Sequence, residues 1–389
     1  MRKQDFENSP SGRLVPTERN QWAFVPHDLP PQLDLGSLAV PHGRAAALLG
    51  ELNGIGRTLQ DPYLLIRPLQ VREALTSSSM EGTYTTIDDL LLLEAGGHER
   101  NQLADTREVF NYRRALSQAI ESLSGLPLSL RTLRDAHRVL LEGVARHRGS
   151  TVRAGEFKEH QNFIGAYEIE NARYVPPPKA ETLQALDQLE KYIHRADDGG
   201  IPDLIDAALI HYQFEAIHPF SDGNGRVGRM LIPLHLFARK TIREPILYLS
   251  PVFEQRKDEY IDRMYEVSRD GAWLEWIAFF LDVVAESCKR AIETADKLLA
   301  LQRDYRARVA TAGRSVNLIA ICDYLFRSQV VTIPQIAEHL GVQYRSAQLN
   351  VEALAGAGIL HEVAHTSNPK YFIAKEIRDI INEVAVPRA

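Results

Sequence analysis

The stretch that decides the fold reads His218-Pro219-Phe220-Ser221-Asp222-Gly223-Asn224-Gly225-Arg226-Val227-Gly228-Arg229. On both sides of it, apolar residues recur at helical spacing, over 204–217 before it and 225–239 after it. A loop rich in proline and glycine therefore joins two helices and opens onto the N-terminus of the second. Unpaired backbone N–H groups and the positive end of the helix dipole make such a position an anion site.

The charged side chains of the stretch point to chemistry at that anion site. Arg226 and Arg229 fall in the first helical turn, where cations oppose the dipole, so each costs stability unless an anion neutralises it. His218 is a group that can take a proton near neutral pH. Asp222 supplies a carboxylate for a divalent cation.

Two other phosphate-binding motifs do not fit. The glycines at 223, 225 and 228 match the spacing of a dinucleotide-binding turn, but that turn follows a β-strand, whereas residues 204–217 have helical periodicity. The chain also has no GxxxxGK[ST] sequence. The remaining alternative is a structural loop that happens to carry surface arginines.

The complete set H-P-F-x-D-G-N-G-R-x-x-R resembles the signature of the Fic family, enzymes that move AMP from ATP to protein hydroxyls. The resemblance implies that His218 is the general base, that Asp222 holds Mg²⁺, that Arg226 neutralises the β-phosphate and that Arg229 grips the γ-phosphate. Phe220 is expected to fix the loop from the core. The residues implied to bind ATP are Gly223, Asn224, Gly225, Arg226, Val227, Gly228, Arg229 and Tyr260.

A second resemblance concerns Glu81. Periodicity puts it at the C-terminal end of a helix predicted over 68–81, where the dipole disfavours an acid, so a solvated surface glutamate is the plain alternative. The sequence Ser77-Ser78-Ser79-Met80-Glu81-Gly82 is similar to the [S/T]xxxE[G/N] motif of Fic proteins with an N-terminal inhibitory helix. This resemblance implies that Ser77 and Glu81 are inhibitory and that Glu81 pairs with Arg229 where the γ-phosphate belongs.

Composition narrows the functional classes. The 389 residues include 45 basic and 51 acidic side chains, so no global field draws the chain to nucleic acid or an anionic membrane. We find no apolar run that could span a bilayer, no secretory h-region and only two cysteines, and we therefore expect a cytoplasmic protein in a reducing compartment.

The periodicity predicts a mainly α-helical protein. The resemblance implies three parts: an N-terminal arm with the inhibitory helix (1–100), a Fic-type helical core (101–290), and a linker helix with a last domain (291–389). An extended arm is expected over 9–36. Core helices are expected over 103–124, 129–146, 180–196, 202–217, 225–239 and 255–286.

One segment of the core breaks the helical pattern. Residues 162–175 predict a hairpin, which is either a loop that covers the core or, as the resemblance implies, a flap that aligns the target by strand addition through Phe163, Ile164 and Gly165. In relatives an aromatic residue like Tyr260 borders the adenine, although packing in the bundle explains it equally well. Ser268 stands where many relatives place an asparagine.

The last domain resembles a winged helix-turn-helix. Helices are predicted over 316–326, 333–340 and 344–355, and short strands over 359–360 and 371–373. Four basic and four acidic residues lie between 314 and 374, which favours protein interaction or dimerisation over DNA binding.

Three functions remain open from the sequence. The leading one is transfer of AMP from ATP, with Mg²⁺, to a Ser, Thr or Tyr hydroxyl of a protein, the chain itself included. The second is removal of AMP, with Glu81 orienting a water molecule. The third is DNA-binding regulation through the last domain. The sequence leaves homodimerisation open.

Overall fold

The computed structural model describes residues 1–17, 21–58, 61–97, 104–144, 152–196, 200–311, 316–364, 366 and 369–383. Within those ranges the chain is mainly helical, which confirms the predicted fold class. The α-helices are α1 (Ala39–Thr58), α2 (Tyr63–Ser79), α3 (Ile87–Glu94), α4 (Ala104–Ser122), α5 (Leu130–Leu140), α6 (Lys179–Ile193), α7 (Asp203–Ile217), α8 (Asn224–Ala238), α9 (Ser250–Gln255), α10 (Lys257–Asp270), α11 (Trp273–Thr311), α12 (Val316–Leu325), α13 (Ile333–Leu340), α14 (Tyr344–Gly356) and α15 (Lys375–Glu383). The strands are β1 (Gly12–Pro16), β2 (Trp22–Pro26), β3 (Val330–Thr332), β4 (His361–Glu362) and β5 (Tyr371–Ile373).

Helix α7 lies at the centre of the bundle. All of its residues except Asp203 and Glu215 are buried, as expected for a helix that is apolar on nearly every face. Helices α6, α8 and α11 pack around it. The loop that follows α7 therefore leaves a rigid, fully packed element, and this fixes the position of His218.

The N-terminal arm is extended, as predicted, and it forms a two-stranded antiparallel sheet that the sequence did not predict. Phe24 is fully buried, and its backbone N–H donates to the carbonyl of Val175 at 2.9 Å. Val15, Ala23 and Val25 share a small apolar cluster with residues of the 169–175 segment. The arm thus holds down the segment that contains the predicted flap.

The predicted hairpin over 162–175 is reduced to a single antiparallel bridge between Ile164 and Tyr174. Gly165 turns the chain at φ +84°, residues 169–171 form a short 3₁₀ helix, and Pro176 begins a run of three prolines. Because proline has no N–H to donate, the ladder cannot lengthen past this run.

The single helix predicted over 255–286 is wrong, because the structure has two helices there. Helix α10 ends at Gly271, which adopts the left-handed conformation (φ +72°), and α11 then runs on for 39 residues. The predicted linker helix over 288–310 is therefore the second half of α11. Glycine at 271 provides the stop, whereas nothing near residue 287 interrupts the periodicity.

The C-terminal segment is built on a three-stranded antiparallel sheet in the order β3-β5-β4. The sequence missed β3 and α15 and placed β4 two residues early, whereas α12, α13, α14 and β5 lie where it put them. The element order is compatible with the predicted winged helix. The segment contacts the N-terminal helices through Arg378–Asp88 (2.9 Å) and through Gln335 Nε2, which donates to the Ala95 carbonyl at 3.0 Å.

Across the ranges that the structure describes, no helix combines the length and the apolarity that a membrane span requires.

Candidate active site

The loop between α7 and α8 begins and ends with left-handed residues. His218 caps α7 with φ 49° and ψ 61°, and Gly223 precedes α8 with φ 79°. A histidine with positive φ is uncommon and must be held by its surroundings. The loop opens onto the N-terminus of α8, which confirms the arrangement expected from the sequence.

Buried contacts hold the loop in this shape. Phe220 is fully buried, as predicted, and stacks on the ring of His137 from α5 with centroids 3.9 Å apart. The Asn224 side chain accepts from the Phe220 N–H at 2.7 Å and donates to the Phe220 carbonyl at 2.8 Å. The phosphate contact expected of Asn224 is therefore left to its backbone, since its amide is already used.

His137 is a residue that the sequence analysis missed. Its Nδ1 accepts from the Gly155 N–H at 2.9 Å, so its Nε2 carries the proton and donates to the Asp222 carbonyl at 2.9 Å. Burial lowers the pKa of His137 to about 4, which keeps it neutral and suited to this bridge. No sequence signal distinguished it from an ordinary helix residue.

The imidazole of His218 is arranged as a base. Its Nδ1 lies 3.3 Å from the Glu215 carbonyl, which can only accept, so Nδ1 carries the proton and Nε2 keeps its lone pair. Burial, reinforced by the charge of Lys158, lowers the pKa of His218 to about 4. At neutral pH the ring is therefore uncharged and able to accept a proton.

Arg226 differs from the sequence-based expectation. Its side chain is fully buried and its Nη1 donates to Glu108 Oε2 at 2.7 Å, while Glu108 is itself 3% exposed. Asp222, which is 30% exposed, lies 3.7 Å from Arg226 Nη2. The fold therefore supplies a counter-ion for Arg226 within the protein, while the predicted contact with a β-phosphate stays a prediction.

Arg229 meets the segment that the sequence singled out as inhibitory. Its Nε donates to Ser77 Oγ at 2.8 Å, and its Nη2 donates to the Ser77 carbonyl at 2.8 Å and to Glu81 Oε1 at 2.7 Å. Burial alone would raise the pKa of Glu81, but the ion pair with Arg229 holds it below the ordinary value. The sequence prediction of this pair agrees with the geometry.

The carboxylate of Glu81 also lies over the start of α8. A Cβ added to Gly225 would overlap Glu81 Oε1, so the oxygen rests directly on the backbone at the helix N-terminus. A carboxylate is favoured there for the reason that a phosphate would be. Glu81 therefore occupies the anion position that the motif predicts.

A cavity of about 220 Å³ opens beside this ion pair. Site residues that line it include Glu81, Glu215, His218, Arg229, Tyr260 and Ser268. Of the predicted flap residues, Ile164 lines the cavity, whereas Phe163 packs against the cluster under the N-terminal arm and Gly165 forms the turn.

Tyr260 lies at the cavity and is also packed in the bundle, while its predicted contact with the adenine stays a prediction. It lines the cavity, and its ring also packs 4.4 Å from Phe253 with only 3% of the residue exposed. Its hydroxyl pairs with His211 Nε2 at 2.8 Å, and His211 Nδ1 lies 3.0 Å from the Gly228 carbonyl. This chain of hydrogen bonds connects the cavity wall to helix α8.

Glu215 is a second residue that the sequence analysis missed. Its side chain is 11% exposed, it lines the cavity, and its Oε1 has no hydrogen-bond partner in the described part of the chain. Burial raises the pKa of Glu215 to about 8, with Arg229 opposing and Glu81 reinforcing the shift. The available signal was an acid in the last turn of a largely buried helix, three residues before His218.

The metal prediction rests on Asp222 alone. The described residues contain no group of three His, Cys, Asp or Glu side chains placed to hold a metal ion. Mg²⁺ is commonly held by one or two carboxylates, with substrate phosphates and water as the other ligands. The single carboxylate of Asp222 therefore suits Mg²⁺ if the nucleotide supplies phosphate oxygens as further ligands.

The chain is similar in sequence to protein families and to individual proteins that are already known. Residues 41–121 match the family model described as "Fic/DOC family N-terminal". Residues 127–236 match the one described as "Fic/DOC family". The protein adenylyltransferase Fic of Drosophila virilis is 29% identical over 107 residues, which are 28% of this chain and 20% of that protein. That of Culex quinquefasciatus is 25% identical over 155 residues, 40% of this chain and 27% of that protein.

Solved structures show the same fold. A Fic family protein from Desulfovibrio desulfuricans covers 89% of this chain and 98% of its own, with 18% identity and a TM-score of 0.56. A Fic domain containing signaling protein from Bacteroides thetaiotaomicron covers 64% of this chain and 97% of its own, with 22% identity and a TM-score of 0.52. The chain thus carries Fic/DOC family domains, and it spans about a fifth to a quarter of the length of the curated relatives it matches.

Proposed function

We propose that this chain transfers AMP from ATP to a hydroxyl group of a protein substrate and that Glu81 inhibits the transfer. The observation that carries the proposal is the arrangement of His218. A neutral imidazole with an open Nε2 shares one cavity with Arg229 and the N-terminus of α8. A base next to an anion site is what phosphoryl chemistry on an alcohol requires.

The reaction uses the residues in the following way. Nε2 of His218 removes the proton of a Ser, Thr or Tyr hydroxyl as its oxygen attacks the α-phosphorus of ATP. The bond from the α-phosphorus to the bridging oxygen breaks, and pyrophosphate leaves with that oxygen. Backbone N–H groups at the start of α8 and the Arg229 guanidinium hold the phosphates.

Mg²⁺, when bound with ATP, would neutralise phosphate charge, and Asp222 is the residue that would hold it. We assign Arg226 to orienting Asp222 from below, since its own charge is already matched by Glu108. Tyr260 and Ser268 line the part of the cavity assigned to the nucleoside.

Inhibition follows from competition between anions. Arg229 holds the Glu81 carboxylate, and the same carboxylate rests on the N-terminus of α8. A γ-phosphate needs both positions, so ATP enters the productive pose only when Glu81 leaves.

Mass spectrometry of the purified protein after incubation with ATP and Mg²⁺ tests the proposal. The Glu81→Gly variant should add one AMP moiety to itself or to an added protein substrate, at a higher level than the wild type. The double variant Glu81→Gly/His218→Ala is the control and should add none. Equal labelling by both variants would refute the role of His218.

Removal of AMP is a second candidate function, and one observation favours it. Glu81 is ionised, 35% exposed and faces the cavity it shares with His218, so it can orient a water molecule. Release of AMP from a modified target by wild type but not by Glu81→Ala would support this direction.

We propose that the C-terminal segment is a winged helix that binds protein rather than DNA. Its charges balance, and helix α14 exposes Tyr344 (55%) and Leu349 (51%) instead of a basic face. Gel shifts with genomic DNA fragments at physiological salt should show no complex. If a complex forms and an unlabelled DNA fragment of the same sequence competes it away, DNA binding becomes the preferred function of the segment.

A further inference from the structure

The left-handed backbone at His218 needs a cause. Residues other than glycine adopt this conformation at a cost, and His218 and Lys240 are the two that do so in the described part of the chain. His218 is also the residue whose ring must be aimed accurately. The contacts that hold its backbone are therefore candidates for positioning the base.

Lys158 makes those contacts from beneath the loop. The residue is 1% exposed, and its Nζ lies 2.8 Å from Asn162 Oδ1, 3.0 Å from the His218 carbonyl and 3.3 Å from the Ile217 carbonyl. Its backbone N–H donates to the Pro219 carbonyl at 2.8 Å. One residue thus binds three consecutive carbonyls at the end of α7.

The three oxygens also decide the protonation state of the Lys158 amine. An ammonium has three N–H donors and no lone pair, so it matches three acceptors, whereas a neutral amine would direct its lone pair at one of them. Burial lowers the pKa of Lys158 well below its ordinary value, and these three bonds act against that penalty. The three oxygen partners thus favour the ammonium form of Lys158, in opposition to burial.

Asn162 completes the set of contacts. Its Nδ2 donates to the His218 carbonyl at 3.0 Å and to the Phe220 carbonyl at 2.9 Å, while its Oδ1 accepts from Lys158. The Asn162 amide therefore binds the carbonyls of the residues on both sides of Pro219. Lys158 and Asn162 together fix the carbonyls of residues 217–220.

We propose that Lys158 and Asn162 form a clamp that positions His218 for proton abstraction and that the clamp places the Lys158 ammonium behind the ring. The proposal rests on the function proposed for His218. The clamp touches only the backbone, so both residues act through His218 and neither meets the substrate.

Other titratable groups line the cavity that His218 borders, and their effects must be separated from that of Lys158. They are Glu81 after α2, Arg173 in the 163–175 segment, Glu215 on α7, Arg229 on α8 and Lys257 on α10. The tyrosines that line the cavity stay neutral, because burial raises their pKa values. Lys158 is not among the residues that line the cavity, so its replacement leaves the cavity lining unchanged.

The test compares three variants in the Glu81→Gly background. Lys158→Met keeps the length of the chain but removes the charge and the donors, Asn162→Ala removes the amide and keeps the charge, and Lys179→Met is the matched control. Lys179 pairs with Glu159 on the surface, where both side chains are about half exposed. Each variant is first checked for a wild-type circular dichroism spectrum.

The first readout is the NMR titration of the His218 C2 proton, which needs no activity. In the parent the midpoint should lie near pH 4, because burial favours the neutral ring. In Lys158→Met its midpoint should rise by roughly one pH unit, staying below 6.5 because burial remains. Asn162→Ala and Lys179→Met should leave the midpoint in place.

The second readout is the kinetics of AMP incorporation. Lys158→Met and Asn162→Ala should lower kcat by about 10- to 100-fold, with KM for ATP changed less than about threefold, because the base is misaligned and the nucleotide contacts are intact. Lys179→Met should match the parent.

An unshifted midpoint in Lys158→Met together with full kcat in both clamp variants would overturn the proposal. If Lys158→Met does not fold, full kcat in Asn162→Ala alone refutes the clamp. A shifted midpoint in a protein that transfers no AMP would refute the proposed function and leave the electrostatic effect of Lys158 established.

Discussion

Helix α8 carries two arginine–glutamate pairs that have the same length and different surroundings. Arg226–Glu108 and Arg229–Glu81 both have N···O distances of 2.7 Å. Glu108 comes from the middle of α4 and is 3% exposed, whereas Glu81 follows the last turn of α2 and is 35% exposed. We therefore expect the first pair to be permanent and the second to be exchangeable.

The two pairs also differ in the contacts that each arginine would retain without its glutamate. Arg229 retains Ser77, through both the hydroxyl and the carbonyl, and it faces the cavity where another anion can enter. Arg226 is sealed beneath the loop. A buried pair is costly to break because the remaining charge is uncompensated, and partial exposure reduces that cost.

The largest effect is expected at the sealed pair. Glu108→Ala should lower the free energy of unfolding by about 3–5 kcal/mol, because it leaves a buried guanidinium without its counter-ion. Urea denaturation measures the loss. Glu142→Ala is the control, since its pair with Arg114 is exposed and should be worth under about 1 kcal/mol. Equal losses in the two variants would contradict the distinction.

The next effect concerns ATP affinity at the exchangeable pair. In the Glu81→Gly background, Arg229→Ala should weaken ATP binding by about 10- to 100-fold, which corresponds to about 1.5–3 kcal/mol for hydrogen bonds to a charged group. Calorimetric titration measures it. Arg263→Ala, on the surface of α10, should leave the affinity unchanged. An unaltered Kd for Arg229→Ala would remove Arg229 from the nucleotide site.

A smaller effect is expected from removing the proposed inhibition by Glu81. Glu81→Gly should raise the rate of AMP incorporation by about tenfold, equivalent to about 1.4 kcal/mol, while it lowers stability by only about 1 kcal/mol. Glu254→Ala tests specificity, because Glu254 binds the same last turn of α2 through Ser79 without touching Arg229. The rate of that variant should stay at the wild-type level, and a similar rise would show that loosening α2 is sufficient.

The smallest effect is on the pH dependence of stability. Arg229 holds the pKa of Glu81 below its unfolded value of 4.5, so the pair contributes fully above pH 4.5 and loses its contribution as the pH falls through the folded pKa. The stability difference between wild type and Glu81→Gln should be under about 1 kcal/mol at pH 7 and should shrink toward pH 3.5. A difference that grows in acid would have the wrong sign.

The sequence predicted the exchangeable pair and missed the sealed one for a physical reason. Glu81 sits in a local motif and at a helix end, and both are visible along the chain. Glu108 belongs to a helix whose periodicity is satisfied without it, and its meeting with Arg226 depends on how α4 packs on α8. Lys158 and His137 were missed for the same reason, because a buried polar contact between distant segments leaves no periodic signal.

The fold was predictable where a helix-terminating glycine or a long stretch of helical periodicity determines it. Gly341 and the periodicity around it placed α13 and α14 correctly. Strand β3 was missed because it is three residues long and is stabilised by pairing with β5, some forty residues away. The hairpin over 162–175 was overestimated because alternating apolar residues signal a strand even where Pro176 prevents further pairing.

The contacts between the C-terminal segment and helix α3 have a consequence for control of the site. Arg378 binds Asp88 and Gln335 binds Ala95, while only the short segment 82–86 separates α3 from Glu81. The anchorage of helix α3, and with it of the chain next to Glu81, therefore depends on the last segment as well as on helix α4.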